Sequence, residues 1–190
     1  MKLQRWHVGT VVADIGAAIA DYERFGPCAV SVAAHLPTRT WDPAAGDVVD
    51  EPLEVVFLRD GFGETFELIR PLSTGGPQSR LLAQRPGPTH VAYWCQDPVA
   101  TAHALLAEGA EIVLLSLADA GDWRERYERG GAAALLPVTA ASYLRLAGGL
   151  VVELNDGPAS RATMTALWGE GVTACLPRMF GASAGPAVEG

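Results

Sequence analysis

Two stretches of the chain alternate along a strand and then change to a helical period. His7-Val8-Gly9-Thr10-Val11-Val12 and His90-Val91-Ala92-Tyr93-Trp94-Cys95 each read as a β-strand with one polar-lined face. Asp14 and Asp97 then stand where helix N-caps belong, and Pro98 suits a first helical turn. Apolar residues recur at helical spacing behind them, as Ile15, Ile19, Tyr22 and Phe25 in one stretch and Val99, Ala102, Leu105 and Leu106 in the other. Gly26 and Gly109 mark the ends. In both stretches the His lies 7 residues before the Asp and 19 before the Gly.

The repeat continues to a second landmark. Gly63-Glu64-Thr65-Phe66-Glu67-Leu68 and Gly149-Leu150-Val151-Val152-Glu153-Leu154 share Gly-x-x-x-Glu-Leu in strand-like settings, at His-to-Glu offsets of 60 and 63 residues. Two βαβββ modules follow, 3–72 and 89–156, making one α+β domain over 1–156. The remaining strands are expected at 29–34, 53–58 and 64–69, then at 111–115, 141–146 and 150–155. A Gly-, Pro- and Ser-rich connector, 73–88, holds a short helix at 78–84. An insertion, 116–139, and an extension, 157–190, lie outside the minimal unit, the extension packing on the domain or at a dimer interface.

Composition narrows the functions. The 190 residues are 49% hydrophobic and 19% charged, enough for a core and too apolar for a disordered chain. A net charge of −8 with scattered basic residues gives no footprint for nucleic acid or an anionic membrane. No apolar run reaches the length of a spanning helix, and the start lacks the apolar core of a signal peptide. A cytoplasmic location is therefore expected. Cys28, Cys95 and Cys175 are odd in number and far apart, which suits buried thiols rather than disulfides or a thiolate metal site.

The repeated polar residues are the informative ones. Packing preserves an apolar pattern in a duplication, but gives no reason to preserve a His on the first strand and a Glu on the last. If the modules pair about a pseudo-twofold axis, His7, Glu67, His90 and Glu153 converge as two imidazoles and two carboxylates. That donor set suits a divalent Zn, Fe, Ni, Co or Mn ion. His35 and His103 have no counterpart in the repeat and read as structural.

Two βαβββ modules with this His and Glu resemble the vicinal oxygen chelate superfamily, which includes glyoxalase I, methylmalonyl-CoA epimerase and extradiol dioxygenases. The segments 7–14, 66–72 and 89–93 are most similar to the epimerase branch. The resemblance implies a curved half-barrel cleft, metal ligands at His7, Glu67, His90 and Glu153, a small-molecule substrate with vicinal oxygens, and a homodimer as one assembly.

It also implies chemistry: a metal-dependent isomerase or epimerase that abstracts a proton beside a carbonyl and stabilises a metal-chelated enolate. By analogy with the epimerases the base is Glu51 or Asp50, in a loop ahead of a strand; by analogy with glyoxalase I it is a ligand carboxylate, Glu67 or Glu153. The alternatives are a glyoxalase I-type lyase and an antibiotic- or metabolite-binding protein of the same fold. A fourth protein ligand disfavours an extradiol oxygenase. The tight turn over 143–149 and the lack of a basic cluster for phosphates argue against a CoA thioester. Trp123, Arg124, Arg126 and Tyr127 in the insertion are candidates for a lid or pocket wall.

Overall fold

The computed structural model describes residues 3–157 and 165–166. The first repeat forms β1 (Leu3–Val11), α1 (Ile15–Glu23), β2 (Ala29–Val30), β3 (Ala34–Asp42), β4 (Asp47–Arg59) and β5 (Thr65–Pro71). After α2 (Pro77–Gln84) the second repeat forms β6 (Gly87–Cys95), α3 (Pro98–Ala107), β7 (Glu111–Leu117), β8 (Thr139–Arg145) and β9 (Val151–Asp156). Its insertion carries α4 (Trp123–Gly130) and a 3-10 segment, Ala132–Val138. The cap positions act as expected. Asp14 accepts from the Ala17 amide at 2.9 Å and Asp97 from the Ala100 amide at 2.8 Å, satisfying N–H groups that a helix start leaves without partners.

Strand pairing repeats as well. β1 lies parallel to β5, which is antiparallel to β4, and β4 is antiparallel to β3; β6, β9, β8 and β7 reproduce that order. The modules join twice, along β1–β6 and through a short β3–β7 seam at Thr40↔Ser116 and Trp41↔Leu115. Because β4 pairs with both β3 and β5, eight strands form a closed ring, with β2 beside the end of β4. Alternate residues of each strand point into the ring. The opposite face of the second module packs Leu115, Leu144, Val152 and Leu154 on Ala102 and Leu105 of α3 and on Leu135 and Leu136. No helix among the described residues is long and apolar enough to cross a membrane.

Two expectations, for the segment ahead of 53–58 and for the insertion, are corrected. The segment 34–59 is a long β-hairpin, not a loop before a strand at 53–58. Pro37 and Pro52 hide it by suggesting a loop, yet they sit opposite each other in the ladder. β3 has no outer partner at Pro37, so the missing N–H costs no sheet hydrogen bond. The apolar face of α1 has no buried residue, and Phe25 beyond it is 87% exposed. In the insertion, Trp123 packs towards the second module's core and Arg124 stacks over it at 4.6 Å, while Arg126 pairs with Asp122 at 2.8 Å. Among the described residues of the insertion Ser116 lines the central cavity, whereas none of Trp123, Arg124, Arg126 and Tyr127 contributes to its wall. Cys95 is buried and Cys28 partly so. Apart from Gly157, Thr165 and Ala166, the extension lies outside the described residues, as does Cys175.

Candidate metal centre

The four strands β5, β1, β6 and β9 are neighbours in the ring, and their register gathers the repeated residues. Gly9 sits opposite Glu67 on one side and His90 on the other, while Ala92 sits opposite Glu153. A slip of one residue in any of these pairings would turn a ligand side chain to the outer face. His7 and His90 are almost wholly buried, and the Glu67 and Glu153 side chains are 12% and 6% exposed.

The His7 Nε2 lies 3.2 Å from Oε2 of both Glu67 and Glu153. The His90 Nε2 lies 3.5 Å from the first and 3.0 Å from the second. All four donor atoms fall within 4.8 Å of one another, and none has a hydrogen-bond partner. Such buried, converging, unpartnered donors are what a metal ion satisfies. Bonds of about 2.0–2.2 Å set neighbouring ligands roughly 3.0 Å apart at a right angle and about 3.4 Å apart at the tetrahedral angle. The His-to-Glu spacings fall in that range, so the residues fit a divalent cation.

Electrostatics of the metal-free cluster point the same way. Burial alone lowers an imidazole pKa, but the two carboxylates outweigh it at His7 and hold His90 up at about 9. Burial alone raises a carboxyl, and the imidazoles reverse this at Glu67 and Glu153, keeping both below the usual carboxylate range. Without a cation, a protonated His90 carries compensating positive charge at neutral pH.

Three further residues, not singled out from the sequence, complete the arrangement. Gly9 is needed for space: a Cβ there would stand 1.9 Å from the His90 ring. Thr89 donates to the Gly9 carbonyl at 3.3 Å, so its oxygen is set to accept from His90 Nδ1 at 3.0 Å; in the neutral ring this keeps the one proton on Nδ1 and leaves Nε2 free to bind a cation. Tyr143 donates its hydroxyl to Oε1 of Glu153 at 3.0 Å. Its partner in the first module is Phe57, since Tyr143 is opposite Glu153 and Phe57 opposite Glu67. The sequence carried that signal, because each aromatic precedes its Glu by 10 residues. One carboxylate of the cluster is thus tethered by a phenol, and the other faces a phenyl ring.

A cavity of about 480 Å³ occupies the ring interior, with Glu67, Tyr143 and Glu153 on its wall. Trp6, Leu53, Val55, Phe57 and Ile69 make much of the rest, and Trp6 stacks between Phe57 and Trp94 at 5.7 and 5.2 Å. Among the described residues lining it there is no Lys or Arg.

Glu51 occupies a different place from the loop expected of it. It lies within β4 at 0% exposure, and its carboxylate accepts from the amides of Gln78 at 3.0 Å and Ser79 at 2.8 Å. It therefore caps α2 from a distant strand, a favourable position for an anion at a helix N-terminus. Gly76 makes the approach possible, since a Cβ there would fall 2.2 Å from the carboxylate carbon. Asp50 is exposed and paired with Arg39 at 3.3 Å. His35 lies near Glu54 at the surface, and His103 is exposed on α3.

No curated protein matches the chain. Among solved structures, methylmalonyl-CoA epimerase from Mycobacterium tuberculosis is similar at TM-score 0.51 and 21% identity, over 83% of this chain and 91% of the epimerase. A methylmalonyl-CoA epimerase in complex with methylmalonyl-CoA and NH4+ gives 0.51 and 16%, over 82% and 96%. A triple mutant of 4-hydroxymandelate synthase from Streptomyces coelicolor gives 0.51 and 18%, over 80% of this chain and 48% of the synthase. These likenesses establish a shared fold. Residues 6–127 match the Glyoxalase/Bleomycin resistance protein/Dioxygenase superfamily, and the chain belongs to that family.

Proposed function

We propose that this chain is a divalent-metal-dependent enzyme of the isomerase type, which moves a proton on a carbon next to a carbonyl, with Glu67 as the proton carrier. The observation that carries this reading is the convergence of four buried donor atoms without hydrogen-bond partners at the wall of an apolar cavity. His7, Glu67, His90 and Glu153 would hold a divalent cation, which would supply the Lewis acidity that makes a C–H beside a carbonyl acidic.

The residues divide the remaining work. Trp6 and Phe57 keep water from the reacting carbon, which strengthens every charge interaction there. Glu153 stays fixed, because Tyr143 holds one of its oxygens. Glu67 has Phe57 where Glu153 has Tyr143, so no phenol holds its second oxygen and its carboxylate is the one to take the proton and return it. Return to a neighbouring carbon is an isomerisation. Glu51 serves as the anchor of α2, its two oxygens being occupied by backbone amides.

The test is incorporation of solvent deuterium into the methyl group of 1-phenylpropane-1,2-dione, a neutral compound with vicinal oxygens, followed by NMR. The metal-loaded protein should accelerate exchange, and Glu67→Gln should lose about 10²- to 10⁴-fold at equal metal content. Exchange by Glu67→Gln at the parent rate would overturn Glu67 as the carrier. Turnover that required an added thiol would move the reading to a glyoxalase-type lyase.

A further inference from the structure

Two amide side chains that line the cavity each hold one buried polar atom with nothing to bond. Gln78, in the first turn of α2, is 5% exposed, and Asn155, on β9, is 7% exposed; both line the cavity. The Gln78 Oε1 and the Asn155 Nδ2 are buried without a hydrogen-bond partner. Buried polar atoms of this kind cost stability unless something satisfies them, so each calls for an explanation.

Their placement supplies one. Asn155 follows Glu153 by two residues on the same inward face, about 6.7 Å further along the strand. The equivalent position in the first module, two after Glu67, is Ile69, which also lines the cavity. The pseudo-symmetry is therefore broken here in favour of an amide whose Nδ2 has no internal partner. The backbone that carries Gln78 is anchored, because Glu51 binds its amide and that of Ser79. The charge environment is equally specific. Two carboxylates stand on the wall, and no Lys or Arg among the described residues lines the cavity to compensate an anion.

We infer that the cavity selects an uncharged, largely apolar molecule that places two vicinal oxygens at the His/Glu cluster and a neutral hydrogen-bonding group, such as a carboxamide, between Gln78 and Asn155. An amide side chain holds both a donor and an acceptor, so a ligand group that both donates and accepts satisfies the pair. This inference rests on the chelation reading for the position of the vicinal oxygens. Glu51 then acts as a positioning residue for specificity by fixing Gln78.

The experiment uses three matched probes: 1-phenylpropane-1,2-dione bearing hydrogen, a carboxamide or a carboxylate at the para position. Binding to the full-length protein is measured by calorimetry in metal-loaded and metal-free forms, and for Gln78→Leu and Asn155→Leu. The carboxamide should bind about tenfold more tightly than the unsubstituted dione, and the carboxylate more weakly than either. Each variant should bring the carboxamide down to the level of the unsubstituted dione and leave the latter's affinity unchanged. A carboxylate bound as tightly as the carboxamide, or an equal loss for all three probes in the variants, would overturn the inference. The two readings separate cleanly. A carboxamide preference that survives while binding shows no dependence on metal supports the neutral-ligand inference and removes chelation. Metal-dependent binding with no carboxamide preference does the reverse, and the absence of any preference in both forms also overturns the inference.

Discussion

Replacing Gly9 by Ala is the smallest change that should disable the cluster. The added Cβ would lie 1.9 Å from His90 Cε1, 2.1 Å from Nε2 and 2.6 Å from Nδ1. Ordinary contact begins near 3.4 Å, so the ring has to retreat by about 1.5 Å. That is most of a metal–nitrogen bond length of about 2.0–2.1 Å, so Nε2 would leave the ligand set. The retreat would also break the 3.0 Å contact from Nδ1 to Thr89. Loss of an outer hydrogen bond alone typically weakens a site 10- to 100-fold, so removal of the ligand itself should cost on the order of 100-fold or more. Overpacking adds about 1–3 kcal/mol of destabilisation. The assay is zinc affinity by competition with a chromogenic chelator, with urea unfolding of the same samples. Gly148→Ala is the control, because nothing lies within 4 Å of a Cβ there. A Gly9→Ala protein with the parent affinity would refute the claim that His90 Nε2 is a ligand in this geometry.

Further outcomes follow from the same contacts. Tyr143→Phe should weaken metal binding about 10- to 100-fold without unfolding the protein, since it releases only the Glu153 carboxylate; chelator competition reads the effect. With His90 raised to about 9 in the metal-free state, metal uptake at pH 7 should release a proton, and apparent affinity should climb about tenfold per pH unit up to that pKa; calorimetry in buffers of differing ionisation enthalpy measures it. For the metal-free fold, the raised His7 and His90 contribute stability that is fully present below about 6.5 and lost as pH rises through their folded values. The lowered Glu67 and Glu153 contribute above about 4.5 and lose it as pH falls. The urea midpoint of metal-free protein should therefore peak between those limits, and a midpoint that rose steadily to pH 9 would contradict this. Glu51→Gln should keep the parent metal content while losing about 1–3 kcal/mol in urea unfolding, because an amide puts an N–H against the α2 amides; loss of metal instead would return Glu51 to the site.

The four converging residues were legible because duplication printed them twice at matching offsets, on strands whose alternation fixed their facing. The same duplication made the βαβββ topology readable. What was not legible depended on partners distant in the chain. Glu51 looks like part of an acidic loop until Gln78 and Ser79, 27 and 28 residues away, bring helix amides to it. The β3–β4 hairpin was masked by two prolines, of which Pro37 is tolerated because β3 has no outer partner there. Gly9 reads as a weak strand residue until the His90 ring is placed across from it. Tyr143 was within reach, since comparison of the two modules pairs it with Phe57. Asn155 shows the limit of that method, because its meaning lies in departing from the repeat.

The central claim is that His7, Glu67, His90 and Glu153 hold one divalent ion. Protein purified without chelators should contain about one equivalent of metal by elemental analysis, and His7→Ala and His90→Ala, folded by circular dichroism, should contain almost none. No metal in the parent protein after incubation with Zn, Ni, Co, Mn or Fe, or the same content in the two variants, would contradict the account.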